Sequence, residues 1–329
     1  VNWGRWAGIV LAIVSAAALT ACGGQERSNP TTDAGAGNAY PVTVPTVFGD
    51  VRIPQRPQRV VALGWSDAET ALALGVQPVG ASDWLAFGGD GVGPWAKGRY
   101  TTAPTLLGTN EINYEAVAAL EPDLILNTRS DGDKTKYDLL SRIAPTVSPP
   151  PGVVTYGTSW QQQMRMVSRA LGLPDRGDAL IAEVDKAFAD AAAANPGFAG
   201  RTVGLGAFFS GRYGAYVKGD SRVGFMAGLG FRNKPEIDAL AGPTFSVTLS
   251  GEQVGLLSAD LTVVFPIGSG AAALRQDKLL NQMPAATAGH LVILDDQALI
   301  SAFSSGSTLG IRYALQHAVP LFAKALAAE

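Results

Sequence analysis

From position 40 onward, short unbroken apolar runs alternate with longer stretches in which apolar residues return every three or four positions. Runs of the first kind suit parallel strands covered on both faces, and the second kind suits helices with one buried stripe. The pattern predicts an extended segment at Val51-Arg-Ile-Pro54, a strand over 59–63 and a helix around Glu69-Thr-Ala-Leu-Ala-Leu74. Gly75 closes that helix, because glycine takes the left-handed conformation a helix end requires. A strand over 79–81 follows, and Val153-Val-Thr-Tyr156 is expected to be the last strand of this half. From 159 to 195 the pattern is almost purely helical, broken once at Leu171-Gly-Leu-Pro174, with Leu180, Val184, Phe188 and Ala191 forming an amphipathic stripe. A second series opens with 201–207, runs through Phe225-Met-Ala-Gly-Leu229, and ends with a strand over 291–294 and a helix over 309–326. Strands alternating with helices predict an α/β fold.

Two stretches 137 positions apart repeat one pattern without a gap: Glu115 falls on Glu252, Val117 on Val254, Leu120 on Leu257, Asp123 on Asp260 and Leu124 on Leu261. In each copy Asn113 or Ser250 can cap a helix, and an apolar run, 124–126 or 261–265, supplies the strand behind it. Each Glu sits in a first helical turn, where its charge complements the helix dipole for roughly 0.3–1 kcal/mol. The dipole accounts for either Glu alone, while a symmetric partner could read the pair. The expected fold is therefore α/β: two Rossmann-like lobes with parallel sheets, joined by a long bridging helical segment, with a ligand cleft between the lobes.

The start of the chain has a different character. Arg5 precedes an apolar run from Trp6 to Leu19, and Leu19-Thr-Ala-Cys22-Gly-Gly follows. The run is short for a membrane span, and small residues precede the cysteine, as in a secretory signal that closes on a lipobox. Cys22, the only cysteine, is then the lipidation site, which leaves no disulfide and no cysteine metal site. Val1 is taken as the product of a non-standard start codon. The expected organisation is a lipoprotein signal peptide over 1–21, a flexible tether over 22–39, an N-terminal lobe over 40–158, a bridging segment over 159–197 and a C-terminal lobe over 198–329. A formal net charge of −3 with no Lys/Arg run excludes an electrostatic nucleic-acid binder.

These elements resemble the substrate-binding lipoproteins of iron(III)-siderophore and cobalamin ABC importers, the helical-backbone class of periplasmic binding proteins. The matching residues are the lipobox ending at Cys22, Ile53-Pro54 with Pro57-Gln-Arg59-Val-Val, Leu74-Gly75-Val-Gln-Pro78-Val-Gly80, Asn113-Tyr-Glu115 with Leu120-Glu-Pro122-Asp123-Leu124, and Leu249-Ser250-Gly-Glu252. The resemblance implies a cell-envelope protein, lipid-anchored at the outer face of the cytoplasmic membrane. It would be a monomer that captures a ferric siderophore and delivers it to an ABC permease dimer for iron uptake. It places Glu115 and Glu252 at the lobe tips that dock on the permease, and a stiff bridge implies modest hinge motion. A scaffold or sensor lipoprotein using the same cleft is the alternative outside transport.

Loops after the strands supply the candidate ligand-binding residues Trp65, Trp84, Trp95, Phe208, Phe209, Tyr213 and Phe303, with Arg129, Arg212 and Arg232. Aromatic faces pack on chelators, and guanidinium forks pair with anionic oxygens. Haem is the competing ligand and needs an axial group. His290 precedes a strand at the end away from the cleft, His317 lies within the last helix, and Tyr213 is the remaining candidate. A siderophore satisfies its own iron, so no resident cofactor and no protein metal site are expected. The chain has no Gly-x-Ser-x-Gly elbow and no Walker A motif, and Gly91-Val-Gly93-Pro-Trp-Ala96 puts Pro where a dinucleotide-binding helix would start. No enzymatic activity is expected.

Overall fold

The three central strands of the first parallel sheet are three residues long and wholly buried. The computed structural model describes residues 40–327 apart from position 110, so the expected signal peptide, tether and lipid-bearing Cys22 lie outside the described residues. A hairpin of β1 (Val42–Thr46) and β2 (Gly49–Ile53) leads into β3 (Val60–Ala62), α1 (Asp67–Ala73), β4 (Gly80–Ser82), β5 (Thr105–Leu107), α2 (Tyr114–Ala119), β6 (Leu124–Leu126), α3 (Lys134–Ser141) and β7 (Thr146–Val147). The sheet runs β5-β4-β3-β6-β7 and every pairing is parallel. The last strand is β7, upstream of the segment expected. Val153-Val-Thr-Tyr156 instead reaches the other lobe, where Thr155 forms a single parallel bridge with Thr244 and donates its N–H to the Pro243 carbonyl at 3.3 Å.

The bridge is two packed helices, α4 (Trp160–Ala170) and α5 (Pro174–Ala194). Ser159 opens α4 with a capping box shared with Gln162. Gly172, at φ 68°, and Pro174, in the first turn of α5, make the break. Phe188 of α5 meets Phe225 of the second lobe edge-on at 5.2 Å and lies against Trp160 of α4, which ties the two helices to that lobe.

The second lobe comprises β8 (Thr202–Phe209), β9 (Arg212–Tyr216), α6 (Ser221–Gly228), β10 (Arg232–Asn233), α7 (Pro235–Asp238), β11 (Ser246–Leu249), β12 (Leu261–Ile267), short helices α8 (Ala272–Gln276), α9 (Lys278–Asn281) and α10 (Pro284–Thr287), β13 (Leu291–Ile293), α11 (Gln297–Ser305) and α12 (Thr308–Leu326). Strands β10, β8, β12 and β13 pair in parallel, like the first lobe. The hairpin β8–β9 and its partner β11 extend this sheet in antiparallel fashion. The hairpin turns at Ser210 and Gly211, with φ of 48° and 78°, the left-handed pair that a two-residue hairpin demands. Helix α12 packs on α11, on the bridge helix α5 and on α1 of the first lobe.

The two copies of the repeat adopt the same layout with different winding. Asn113 caps α2 by accepting from the Ala116 N–H at 2.9 Å. The second copy, Gly251–Leu257, is a 3₁₀ helix in which Gln253 returns its side-chain oxygen to the Ser250 N–H at 3.1 Å. Gly251 and Gly255 stand where the first copy has Tyr114 and Ala118, and glycine weakens an α-helix by roughly 1 kcal/mol per site. The repeated aspartates have matching jobs. Asp123 accepts from the N–H groups of Gln58 and Arg59 as the chain enters β3, and Asp260 accepts from the N–H and hydroxyl of Thr202 at the start of β8. The Thr202 bonds hold the Asp260 carboxyl below its ordinary range. Each carboxylate pins the entry of the neighbouring central strand.

Candidate functional site

The carboxyl ends of β3 and β6 in one lobe, and of β8 and β12 in the other, face a common cleft whose floor is polar and sealed. Its centre is the turn at Gly306, φ 62°, between α11 and α12. From the first lobe, Ser66 Oγ donates to the Ser305 carbonyl at 2.7 Å, and Arg129 Nη1 donates to the same oxygen at 2.7 Å. Arg129 also donates through Nε to the Tyr156 carbonyl at 3.1 Å and through Nη2 to Ser221 Oγ at 2.9 Å. Glu69 of α1 accepts from Ser307 Oγ of the opposite lobe, from Trp95 Nε1 at 2.9 Å and from the Gly93 N–H at 3.3 Å. Asp67 accepts from the Thr128 N–H at 2.8 Å, the Thr128 hydroxyl and Gln163 of the bridge at 2.7 Å.

Burial dominates the titration of these groups. It pushes both the Asp67 and Glu69 carboxyls up, against hydrogen bonds from Thr128 and Gln163 in one case and from Ser307, Trp95 and Gly93 in the other. It lowers the Arg129 guanidinium to about 10, with the nearby Asp220 carboxylate opposing the shift, so the group stays charged at neutral pH. Ser66 and Tyr156 flank this floor at φ 62° and 58°, a conformation that costs a side-chain-bearing residue roughly 1–2 kcal/mol. The Tyr156 carbonyl is held by Arg129, and Ser66 by Ser305.

Above the floor the walls are aromatic. Trp65 is the middle of a stack, with Trp84 at 4.3 Å and 9° and Tyr156 at 4.0 Å and 20°. Phe245 meets the edges of Trp65 and Tyr156 from the second lobe at 5.8 and 6.1 Å. The cleft cavity measures about 930 Å³ and is lined by Trp65, Trp84 and Phe87 on one side and by Phe209, Tyr216 and Phe245 on the other, with α11 contributing Gln297, Ser301 and Ser304. A side chamber of about 510 Å³ lies between the β8–β9 hairpin and β11, bounded by Arg212, Tyr213 and Val247. The main cavity lies at the upper end of the range for small-molecule sites.

The ten candidate ligand residues sort into three groups. Trp65, Trp84, Phe209, Arg212 and Tyr213 line the cleft or its side chamber. Phe209 is 58% exposed, and Arg212 is exposed with no side-chain partner among the described residues. Trp95 and Phe208 stand beside it: Trp95 is tied to Glu69 and packed against Phe87 and Tyr313, while Phe208 leans on Tyr213 and faces the groove behind β9. Three do not reach the cavity as ligand groups. Phe303 is not on a loop but inside α11, where Phe225, Phe265 and Phe322 enclose it in the core. Arg232 pairs beside Thr202 at the entry end of β8 and donates to the Gly200 carbonyl, the wrong end of the sheet for the cleft. Arg129 is 2% exposed and is consumed in joining the lobes, with Trp65 and Trp84 over it at 5.6 and 5.7 Å.

Sequence reasoning missed Tyr156, Tyr216, Phe245 and Arg222. Arg222 lines the cavity from α6, with its carbon centre 3.7 Å over the Tyr216 ring, and Asp220 grips its Nε and Nη2 at 2.9 and 2.6 Å. Burial alone would lower this guanidinium, but Asp220 and Tyr216 outweigh it and hold it up. Tyr216 itself is pushed up to about 12, mainly by burial. A signal for β9 was present: Ser-Gly between Phe209 and Arg212 marks a hairpin whose far strand ends at Tyr216. The haem candidates are engaged elsewhere. Tyr213 donates its hydroxyl to Asp277 at 2.7 Å, His317 stacks on Tyr313 along α12, and His290 lines a depression at the strand-entry end of the second lobe. Glu115 and Glu252 are both exposed, each in the first turn of its copy of the repeat. Ser250 and Gln253 border the groove next to Arg212, and Ile112 borders a small pocket under Trp65, so both turns flank the cleft-facing ends of their lobes.

Comparison with known proteins agrees with this architecture. The chain is 31% identical over 221 residues to the probable siderophore-binding lipoprotein YfiY of Bacillus subtilis, covering 66% of this chain and 64% of that one. It is 30% identical over 181 residues to the iron(3+)-hydroxamate-binding protein FhuD of the same organism, covering 55% and 53%. The chain thus spans less than two thirds of the length of these curated relatives. The crystal structure of a periplasmic solute binding protein from Mycobacterium smegmatis superposes with a TM-score of 0.75 at 28% identity, over 87% of this chain and 99% of that one. Among the described residues no helix is long and apolar enough to cross a membrane. A profile described as periplasmic binding protein matches residues 60–298, and the chain belongs to that family.

Proposed function

We propose that this protein captures a ferric siderophore in the interlobe cleft and hands it to an ABC permease. The observation that carries this reading is the aromatic-walled cavity of about 930 Å³ where the carboxyl ends of both sheets meet. Flat aromatic faces with few free charges suit a large, preassembled chelate whose iron is already wrapped. A siderophore brings the oxygen donors that wrap its iron, so this reading asks for no protein ligand to the metal. Similarity to a lipoprotein described as siderophore-binding supports the same cargo. In this reading Glu115 and Glu252 are the feet that meet the two permease subunits, Cys22 carries the lipid, and the protein works as a monomer that binds its cargo without turning it over. The test is quenching of the cleft tryptophans by ferric siderophores, haemin and cobalamin. Saturable quenching by a ferric siderophore at micromolar concentration or below is expected, and a response to haemin or cobalamin alone would reject the proposal.

A further inference from the structure

The charges around the cleft say which kind of chelate it takes. Arg222, the charged residue on the wall of the main cavity, is neutralised by Asp220 with both side chains buried. Lys136, near the stack, is neutralised by Asp131 at 2.6 Å. Asp83 spends its carboxylate on the N–H groups of Phe87 and Gly88, holding the loop that carries Trp84. Arg129 lies beneath Trp65 and Trp84 with each nitrogen already on a protein acceptor. That leaves Arg212, exposed at the side chamber, as the cation facing the site without a partner among the described residues.

A trianion entering such a cleft would give up its hydration for one exposed guanidinium and a set of spent pairs, and burying uncompensated charge is expensive. A neutral chelate loses little, gains the aromatic faces, and meets in Arg222 a wall residue whose charge Asp220 has already cancelled. We infer that the cleft selects ferric chelates without net negative charge, the tris-hydroxamate class, in which three hydroxamate anions cancel the ferric ion. It discriminates against tris-catecholates, in which three dianions leave a trianion. The inference rests on the siderophore reading above and narrows it.

The experiment compares the wild-type protein against ferrichrome, ferric enterobactin and ferric citrate by tryptophan quenching at two ionic strengths. Ferrichrome is expected to bind at least about 100-fold more tightly than ferric enterobactin, with an affinity that salt hardly changes, because a neutral ligand has no Coulomb attraction to screen. Tighter binding of ferric enterobactin or ferric citrate, or a ferrichrome affinity that collapses with salt, overturns this inference and leaves the siderophore reading standing. Failure to bind any of the three overturns both.

Discussion

The floor and the walls of the cleft use the same residue types for opposite purposes. On the floor, Asp67, Glu69 and Arg129 are buried, saturated with hydrogen bonds and turned towards the protein. On the walls, Trp84, Phe209 and Phe245 keep apolar surface in contact with open space. Charge here joins lobes, and aromatic surface is what the cleft leaves open for the proposed cargo. An arginine at a strand end is therefore a poor guide to ligand contact when its carbonyl partners come from the other lobe.

The sharpest way to break this contrast is Arg129→Met. Removing the guanidinium leaves the Tyr156 carbonyl and Ser221 Oγ without their donor and the Ser305 carbonyl with Ser66 alone, so unfolding in urea should show a loss of about 3–5 kcal/mol. The protein that remains folded should bind its chelate within a few-fold of wild type. A small stability loss with a large affinity loss would move Arg129 to the ligand side. Next in size is Trp84→Ala, which removes the outer member of the stack: affinity should fall about 10- to 100-fold, with a stability change below about 1 kcal/mol. Trp65→Ala should instead cost stability as well as affinity, because both faces of that ring are packed.

A smaller effect sharpens the floor. Asp67 and Glu69 are both held above their ordinary range, so the folded state binds protons more tightly than the unfolded one. Their contribution to stability is complete at acid pH and is lost as pH rises from about 4.5 through the raised values. Glu69→Gln should flatten that decline in urea midpoints measured across the window, and an unchanged slope would mean that Glu69 does not carry it. Smallest for the purified protein is Glu115→Lys with Glu252→Lys. Chelate affinity should stay within about two-fold, since both side chains are exposed and outside the cavity, while uptake by cells fails. Normal uptake by the double variant would remove both residues from permease docking.

Much of this fold was legible because parallel strands leave unbroken apolar runs and helices leave a periodic stripe. Strands β3, β6, β8, β12 and β13 overlap their expected positions, as do α1, α4, α5 and α12. The repeat was legible too, although its invariant-looking Asp123 and Asp260 turn out to explain part of it by strand entry alone. What the pattern hid is telling. An apolar residue after a strand can sit on a loop or inside the next helix, and Phe303 belongs to α11 because 297–305 is buried almost all round. The same ambiguity hid Arg222, whose role depends on Tyr216 and Asp220 arriving from β9 and the turn before α6. Arg129 was misjudged for another reason: its partners Ser221 and Ser305 lie 92 and 176 positions away, and such neighbours leave no local trace.

The single bridge between Thr155 and Thr244 offers a way to time the cleft. The Thr155 amide is donated to the Pro243 carbonyl across the lobes, so its proton exchanges with deuterium only when the lobes part there. Its exchange rate, compared with that of amides inside β12, measures how often the cleft opens without any ligand or label being added.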